Sequence, residues 1–311
     1  MNILLTLDDN YSPHAGVVIS SFVHNNSGDH DFYIVSDFIS YKNKTRLQEC
    51  AQTSHLHFVK VDRCFAEKFP LGKGMANDYV SIATYYRLFA LTLLPSDIKR
   101  ILYIDCDVII RQDITPLYNS AFPSGCCICA LEESSRISIN GCKRLDYPII
   151  YSYFNAGVLL MNLDEIRRTY DVEKAIKYAN SHHIIFHDQD ILNGLFYNKK
   201  TFFQLKYNVL DSFLIRHAQL PDQYKEQRAD LFNPVIVHFS GPLKPWFSEC
   251  KNPYRRLYFF YQYFTPWKGQ KPSPKYKSRK DKTKYITKLF IKEILEMLHI
   301  RYHSFIRIPI K

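Results

Sequence analysis

The sequence predicts an α/β fold, with a sheet covered by helices on both faces and a basic, partly helical tail behind it. Three observations lead there. Short apolar runs alternate with segments of helical spacing in the first part of the chain, two such runs end in acidic clusters, and excess positive charge is confined to the C-terminal stretch. With 311 residues, 46% hydrophobic and 15% aromatic, the chain can bury an extensive core; residues 1–266 are expected to form it, with 267–311 as the tail.

The elements follow in order. Residues 2–7 are an apolar run ending in Asp8-Asp9-Asn10, and 14–25 behind it have helical spacing, which reads as strand, loop and helix. Residues 31–36 and 56–61 read as strands, separated by a helix over 40–50 that starts on a serine cap. Units of this kind build a parallel sheet whose ligands bind beyond the carboxyl ends of the strands. Residues 63–78 contain Pro70, Gly72 and Gly74 without clear periodicity and are predicted as a long loop at that edge, suited to a lid. A helix is predicted over 81–94 with Arg87 among apolar neighbours, strands at 101–104, 126–131, 156–161 and 235–239, and a second long loop over 132–153.

The net charge of +11 is uneven: residues 267–311 hold 13 Lys and Arg against 3 acidic residues, leaving 28 basic and 27 acidic residues before them. A neutral body with a basic tail argues against a nucleic-acid binder and asks what the tail is for. The opening residues lack the basic-then-apolar pattern of an export signal, and no run approaches the roughly 20 apolar residues that span a bilayer, so a cytoplasmic protein is expected. The eight cysteines are scattered, and Cys126-x-x-Cys129 has no second pair at zinc-ribbon spacing; reduced core thiols are expected.

Asp105-Cys106-Asp107 lies between the apolar runs Ile101-Leu102-Tyr103-Ile104 and Val108-Ile109-Ile110. In extended backbone, residues two apart point to the same side, so both carboxylates can meet one hard divalent cation while Cys106 faces away. A cation held by so few protein oxygens keeps room for substrate phosphates.

Further motifs lie around this one: Asp8-Asp9-Asn10-Tyr11, Phe154-Asn155-Ala156-Gly157-Val158-Leu159-Leu160-Met161-Asn162, His187-Asp188-Gln189-Asp190-Ile191-Leu192-Asn193 and His238-Phe239-Ser240-Gly241-Pro242-Leu243-Lys244-Pro245-Trp246. Together, in this order up to about Trp246, they resemble glycosyltransferase family 8, the retaining enzymes that include bacterial lipooligosaccharide α-galactosyltransferases, lipopolysaccharide glucosyl- and galactosyltransferases and, more distantly, glycogenin. The resemblance implies a GT-A fold, a Rossmann-like mixed sheet flanked by helices, with a UDP-sugar donor and Mn²⁺, Mg²⁺ being the alternative metal. It makes Asp105, Asp107 and His238 the metal ligands, and an imidazole beside carboxylates suits Mn²⁺ better than an all-oxygen site would. Lys244 matches the family's diphosphate-binding lysine, and Gly241 permits close backbone approach to the donor. Asp8 and Asn10 match the positions that hold uracil and ribose, or else cap the helix behind them. Arg87 matches an arginine that contacts the donor sugar and buttresses the metal carboxylates. Tyr79 stands about where close relatives carry a phosphate-contacting histidine, a departure that leaves the phosphate contacts open.

Asp188, Gln189 and Asp190 are the reacting-centre candidates, with Asn155 and Asp188 resembling residues that hold hydroxyls of the transferred sugar. Retention arises from a covalent enzyme intermediate or from front-face attack guided by the leaving phosphate. An amide oxygen is a poor nucleophile, which favours the front-face route with Gln189 stabilising oxocarbenium-like charge; Asp190 is the alternative nucleophile, or a carboxylate at a helix N-terminus. The acceptor site is expected in the loops 73–78 and 132–153, with Glu132 holding an acceptor hydroxyl. Because the metal ligands' charges burden the metal-free protein, replacing them is expected to leave the fold intact or firmer.

The expected reaction moves galactose or glucose from UDP to a cell-envelope glycan such as lipopolysaccharide or lipooligosaccharide; a protein-linked or capsular glycan is the alternative acceptor. Nucleotidyl transfer also uses paired aspartates but commonly brings a glycine-rich phosphate loop, which is not visible among 10 glycines. A binding module without catalysis does not require Asp105, Asp107, His238 and Lys244 together. In the tail, the lysines and arginine from Lys268 to Lys284 precede a stripe of Ile286, Phe290, Ile294, Met297 and Leu298 within a predicted helix over 285–300. A basic run followed by an amphipathic helix predicts peripheral attachment to the anionic inner face of the cytoplasmic membrane, with docking on the body as the alternative.

Overall fold

Ile3, Leu4 and Leu5 on one apolar run and Ile101 to Ile104 on another are buried on both faces, as central strands under two layers of helix are. The computed structural model describes residues 1–70 and 82–308. Its strands are β1 (Asn2–Thr6), β2 (Asp31–Ser36), β3 (His55–Lys60), β4 (Arg100–Ile104), β5 (Val108–Ile110), β6 (Ile128–Glu132), β7 (Phe154–Asn162), β8 (Lys200–Phe202), β9 (Val209–Leu210) and β10 (Ile236–His238). Seven of them form a sheet in the order β3-β2-β1-β4-β7-β6-β8, and the others a three-stranded sheet in the order β5-β10-β9. The helices are α1 (Ser12–Asn25), α2 (Tyr41–Ala51), α3 (Arg63–Ala66), α4 (Tyr86–Leu93), α5 (Thr115–Tyr118), α6 (Ser135–Arg144), α7 (Leu163–Thr169), α8 (Val172–Ser181), α9 (His187–Phe196), α10 (Arg255–Gln262) and α11 (Arg279–Met297).

Alternating side chains feed two cores. Ile3, Leu5, Leu102 and Ile104 point to one, with α1; Leu4, Ile101 and Tyr103 point to the other, with α4. From β1 through β3 and across to β4 the strands run parallel, but β7 is antiparallel to both β4 and β6, so the sheet is mixed and not the parallel one that the alternating units suggest. Periodicity reports burial, not pairing direction.

The predicted loop over 132–153 contains α6 and a single 3₁₀ turn, Ile149–Tyr151. Gly141 disguises the helix, yet it is required there: a Cβ would lie 2.5 Å from Cδ2 of Tyr153. The predicted loop over 63–78 opens with α3, capped by Asp62, which accepts from the Cys64 amide at 3.0 Å. The helix expected over 81–94 is a 3₁₀ turn, Ile82–Tyr85, leading into α4. Tyr79 and the proposed acceptor loop 73–78 lie outside the described residues. All eight cysteines are unpaired, and seven of them are buried.

The tail is joined to the body at both ends. Trp267 is a core residue packed so closely on α1 that a Cβ at Gly16 would come 2.6 Å from its Cζ3. Beyond α11 the chain returns, bonding Ile306 N–H to Leu214 O and Arg216 N–H to Ser304 O, each at 2.8 Å. Between these joints α11 buries no residue, and Phe290 and Met297 are 62% and 79% exposed. Among the described residues no helix is long and apolar enough to cross a membrane.

What positions the site is a change of sheet. The chain leaves the main sheet at Ile104 and enters the small one at Val108, so Asp105-Cys106-Asp107 bridges the two, beyond the carboxyl end of β4. On one side the Asp105 amide donates to Gly157 O of β7 at 2.8 Å; on the other, Val108 is in register with His238. Three motifs distant in sequence are thereby forced together.

Candidate active site

Asp105, Asp107 and His238 each turn a ligand atom toward a common point, all within 4.8 Å of one another. His238 Nε2 lies 3.2 Å from Asp107 Oδ1 and 3.9 Å from Asp105 Oδ2. Four observations fit this set to a divalent cation. Asp107 Oδ1 is buried yet accepts no hydrogen bond, His238 Nε2 being close but off its hydrogen-bonding direction. The other ring nitrogen of His238, Nδ1, is 3.0 Å from Asn208 Oδ1. That contact fixes the tautomer. The Gly157 amide donates to Asn155 Oδ1 at 3.0 Å, Asn208 Nδ2 donates to the same oxygen at 3.0 Å, and Asn208 Oδ1 is therefore left to accept from Nδ1, which frees Nε2 as a ligand. Finally, a Cβ at Gly157 would sit 2.2 Å from His238 Cε1 and 2.8 Å from Asp105 Oδ2, so the cradle exists only because that residue is glycine.

Cations brace these carboxylates. Lys244 Nζ donates to Asp107 Oδ2 at 2.5 Å and to Phe239 O at 2.8 Å. Burial opposes charge on Asp107, but Lys244 and His238 overcome it and hold its carboxyl well below the usual range. His238, although desolvated, is pulled above its ordinary value by Asp107 and Asp105. Arg87, buried on α4, donates to Asp105 Oδ1 at 2.7 Å and to Ala156 O at 2.7 Å, with its guanidinium 4.0 Å from the centre of the Tyr103 ring. Its Nε is 2.8 Å from Asp188 Oδ2, an ion pair without hydrogen-bond alignment. Arg87 thus links Asp105 to Asp188 at the start of α9.

Burial pushes the Asp188 carboxyl up to about 6, with Arg87 and Thr84 pulling the other way. Relative to a carboxyl's ordinary value of 3.8, the native protein keeps this proton between about pH 4 and 6, where the unfolded chain has released it. The group's stabilising contribution is complete below about pH 4 and is lost as pH rises through about 6, a swing of about 3 kcal/mol. In urea denaturation of chelator-treated protein, Asp188→Asn is expected to gain that much on wild type between pH 4 and 7; parallel profiles contradict the assignment.

Gln189 accepts the Ala156 N–H at 2.9 Å through Oε1, which fixes its amide at the cleft beside Asn155. Asp190 is elsewhere engaged. Fully buried, it takes Arg144 Nη1 and Nη2 at 2.6 and 2.7 Å, the Tyr153 hydroxyl at 2.7 Å, and the amides of Ile185 and Phe186 at 2.7 and 2.8 Å. Its oxygens anchor the entry to α9.

Asp8, at the end of β1, accepts from the Tyr11 amide at 3.2 Å and starts a 3₁₀ turn; Asn10 beside it is exposed. Gly241 N–H donates to Asp211 Oδ2 at 2.9 Å, and half-buried Asp211 has its carboxyl raised by desolvation. Glu132 is turned aside, held by Gln223 Nε2 at 2.5 Å. Its neighbour Glu133 faces the site, buried, accepting from Asn155 Nδ2 at 3.0 Å. Glu132 ends β6 and Glu133 follows it, its amide bonded to Tyr153 O at 2.9 Å; sequence reasoning missed Glu133 because nothing local separates two adjacent glutamates. Asn208, Asp211 and Gly157 were missed as well: the first two lie in irregular segments, and only Gly157, inside a quoted motif, carried a signal.

Of these residues, Glu133, Asn155, Gln189, Asp211 and Gly241 line one end of a cavity of about 1310 Å³. A sheet edge presenting a candidate cation site braced by a lysine and an arginine, with a large cleft adjoining it at Asn155 and Gly241, is the arrangement of a transferase of phosphate-activated groups. Residues 2–250 match the family model of glycosyl transferase family 8. General stress protein A of Bacillus subtilis is 30% identical over 286 residues, 86% of this chain and 94% of that protein. The lipopolysaccharide 1,2-glucosyltransferase of Escherichia coli K12 is 27% identical over 278 residues, covering 88% and 80%. Among solved structures, galactosyltransferase LgtC in complex with donor and acceptor sugar analogues superposes with a TM-score of 0.75 at 24% identity, over 87% of this chain and 100% of that one. The chain belongs to glycosyl transferase family 8. Its fold is GT-A, with a basic, partly helical C-terminal extension.

Proposed function

We propose that the protein transfers galactose, or glucose, from its UDP carrier to a hydroxyl of a cell-envelope glycan such as a lipopolysaccharide or lipooligosaccharide outer core, retaining the anomeric configuration, with Mn²⁺ as the metal. The convergence of Asp105, Asp107 and His238 beside Lys244 carries this reading. The names of the similar proteins support both sugars, one being a lipopolysaccharide glucosyltransferase and another a galactosyltransferase.

A divalent cation at Asp105, Asp107 and His238 supplies Lewis-acid neutralisation of a departing diphosphate. Lys244 adds a positive charge where that group gains negative charge, and Gly241 lets the backbone approach it. Asp8 and Asn10 hold uracil and ribose. Arg87 keeps Asp105 and Asp188 in register, so that Asp188 and Asn155 can hold sugar hydroxyls. Gln189 faces the anomeric carbon and stabilises its developing charge. Front-face attack is the better route, because the ion pair and hydrogen bonds on Asp190 occupy the oxygens that a covalent route needs. Glu133, and not Glu132, is the carboxylate placed to hold an acceptor hydroxyl. Purified protein is expected to release UDP from UDP-galactose or UDP-glucose with Mn²⁺ and to lose that activity on chelation; metal-independent release contradicts the reading.

The tail is proposed to lie on the anionic inner leaflet. Its basic run supports this, each side chain near such a surface being worth roughly 1 kcal/mol, as does the outward exposure of Phe290, Met297 and Leu298. Because Trp267 belongs to the core, truncation at 267 confounds tethering with folding. Phe290→Ser with Met297→Ser is the cleaner test: sedimentation with phosphatidylglycerol vesicles should weaken about tenfold, with an unchanged urea midpoint. Undiminished sedimentation contradicts the tether.

A further inference from the structure

We propose that the outer wall of the cleft is an anion subsite, in which Lys288 and Lys292 of α11 take a phosphate or carboxylate carried by the acceptor glycan. The word acceptor rests on the transferase reading; the anion site itself does not. The cavity that begins at Asn155, Gln189 and Gly241 ends on α11, where Tyr285, Lys288, Leu289 and Lys292 line it. These residues are spaced three and four apart, so they share one helix face. The exposed Ile286 and Phe290 lie on another and do not line the cavity, whereas the lysines do.

Among the described residues no carboxylate pairs with these lysines. No hydrogen bond or ion pair holds the side chain of Lys288, Lys292 or Arg301 among the described residues. Glu296, on the same wall, is already taken by Arg216 at 3.5 Å and His303 at 2.8 Å. Glu293 makes no ion pair with either lysine. Burial, Lys288 and Arg301 together hold the Lys292 ammonium below its usual value, which is the mark of like charges gathered without a counter-charge. Two unpaired lysines one helical turn apart on a concave wall attract an anionic group between them, with Glu293 beside them on the same wall.

The donor does not account for this wall. Its diphosphate belongs beside Asp105, Asp107 and Lys244, none of which lines the cavity. At about 1310 Å³ the space exceeds the roughly 300–1,000 Å³ of an ordinary ligand pocket, leaving the α11 end for a second substrate. Tyr276 and Tyr285, stacked with ring centres 4.7 Å apart, place a flat aromatic surface beside the lysines. An anionic group on a sugar ring matches both features.

The test is calorimetric titration of the full chain, with UDP and Mn²⁺ saturating the donor end, using glucose 6-phosphate, glucuronate and glucose as probes. Wild type is expected to prefer glucose 6-phosphate to glucose by about tenfold or more. Lys288→Gln with Lys292→Gln should erase that preference with unchanged UDP affinity, and Lys288→Arg with Lys292→Arg should keep it. Equal binding of charged and uncharged probes by wild type, no binding of glucose 6-phosphate, or a preference that survives the glutamine pair overturns the proposal. The last outcome, accompanied by weaker binding to phosphatidylglycerol vesicles, assigns the lysines to a membrane instead. If wild type releases no UDP from any UDP-sugar, the transferase reading fails by itself, while the binding comparison still decides the anion site.

Discussion

Asp107→Ala is expected to lower sugar transfer by about 10³-fold or more, the loss that follows when several kcal/mol of charge stabilisation at the leaving group disappear. Titration of the variant with Mn²⁺ should show no binding at micromolar concentrations. Its stability should fall as well. Metal-ligand charges were expected from sequence to burden the metal-free protein, yet Asp107 is paired with Lys244 at 2.5 Å, so its removal leaves a buried cation without its partner. Breaking such a pair costs about 3 kcal/mol, which urea denaturation reads directly. Asp107→Asn keeps the volume and separates charge from packing. Near-normal turnover of the alanine variant with Mn²⁺ contradicts the metal site.

Gly157→Ala is the second large effect and adds only a methyl group. Its Cβ cannot stand 2.2 Å from His238 Cε1, and His238 is tied behind by Asn208. The ring must turn away, or β7 must shift and carry the Asn155 side chain with it. Either way a ligand leaves its place, and Mn²⁺ affinity is expected to fall about 10- to 100-fold, with transfer falling at least in proportion. Raising Mn²⁺ should recover part of the activity, which it cannot do for Asp107→Ala. A variant with wild-type Mn²⁺ affinity contradicts the cradle.

The first strands and helices were legible because each carries its own periodicity: Asp31–Ser36 was read without error, and Ser40 does cap α2, accepting from the Asn43 amide at 3.3 Å. The antiparallel run of β7 was not legible, since pairing direction depends on partners distant in the chain. The polar and glycine-containing α6 was hidden because its glycine answers a tertiary contact with Tyr153. In the site, Asp105 and Asp107 announce themselves through two-residue spacing at a strand end. Asn208 and Glu133 act through hydrogen bonds to other side chains, and such second contacts leave no local pattern. The tail was read as an appendage from its charge; its role as a cavity wall depends on how residues after α11 return to Leu214 and Arg216.

The anomeric configuration of the product tests the central claim most directly. Wild-type protein incubated with Mn²⁺ and, in parallel, UDP-galactose or UDP-glucose together with a terminal hexoside acceptor should yield a new glycosidic linkage assignable by NMR. An α-linked product from the α-configured donor is the result this site geometry predicts, and a β-linked product would contradict it.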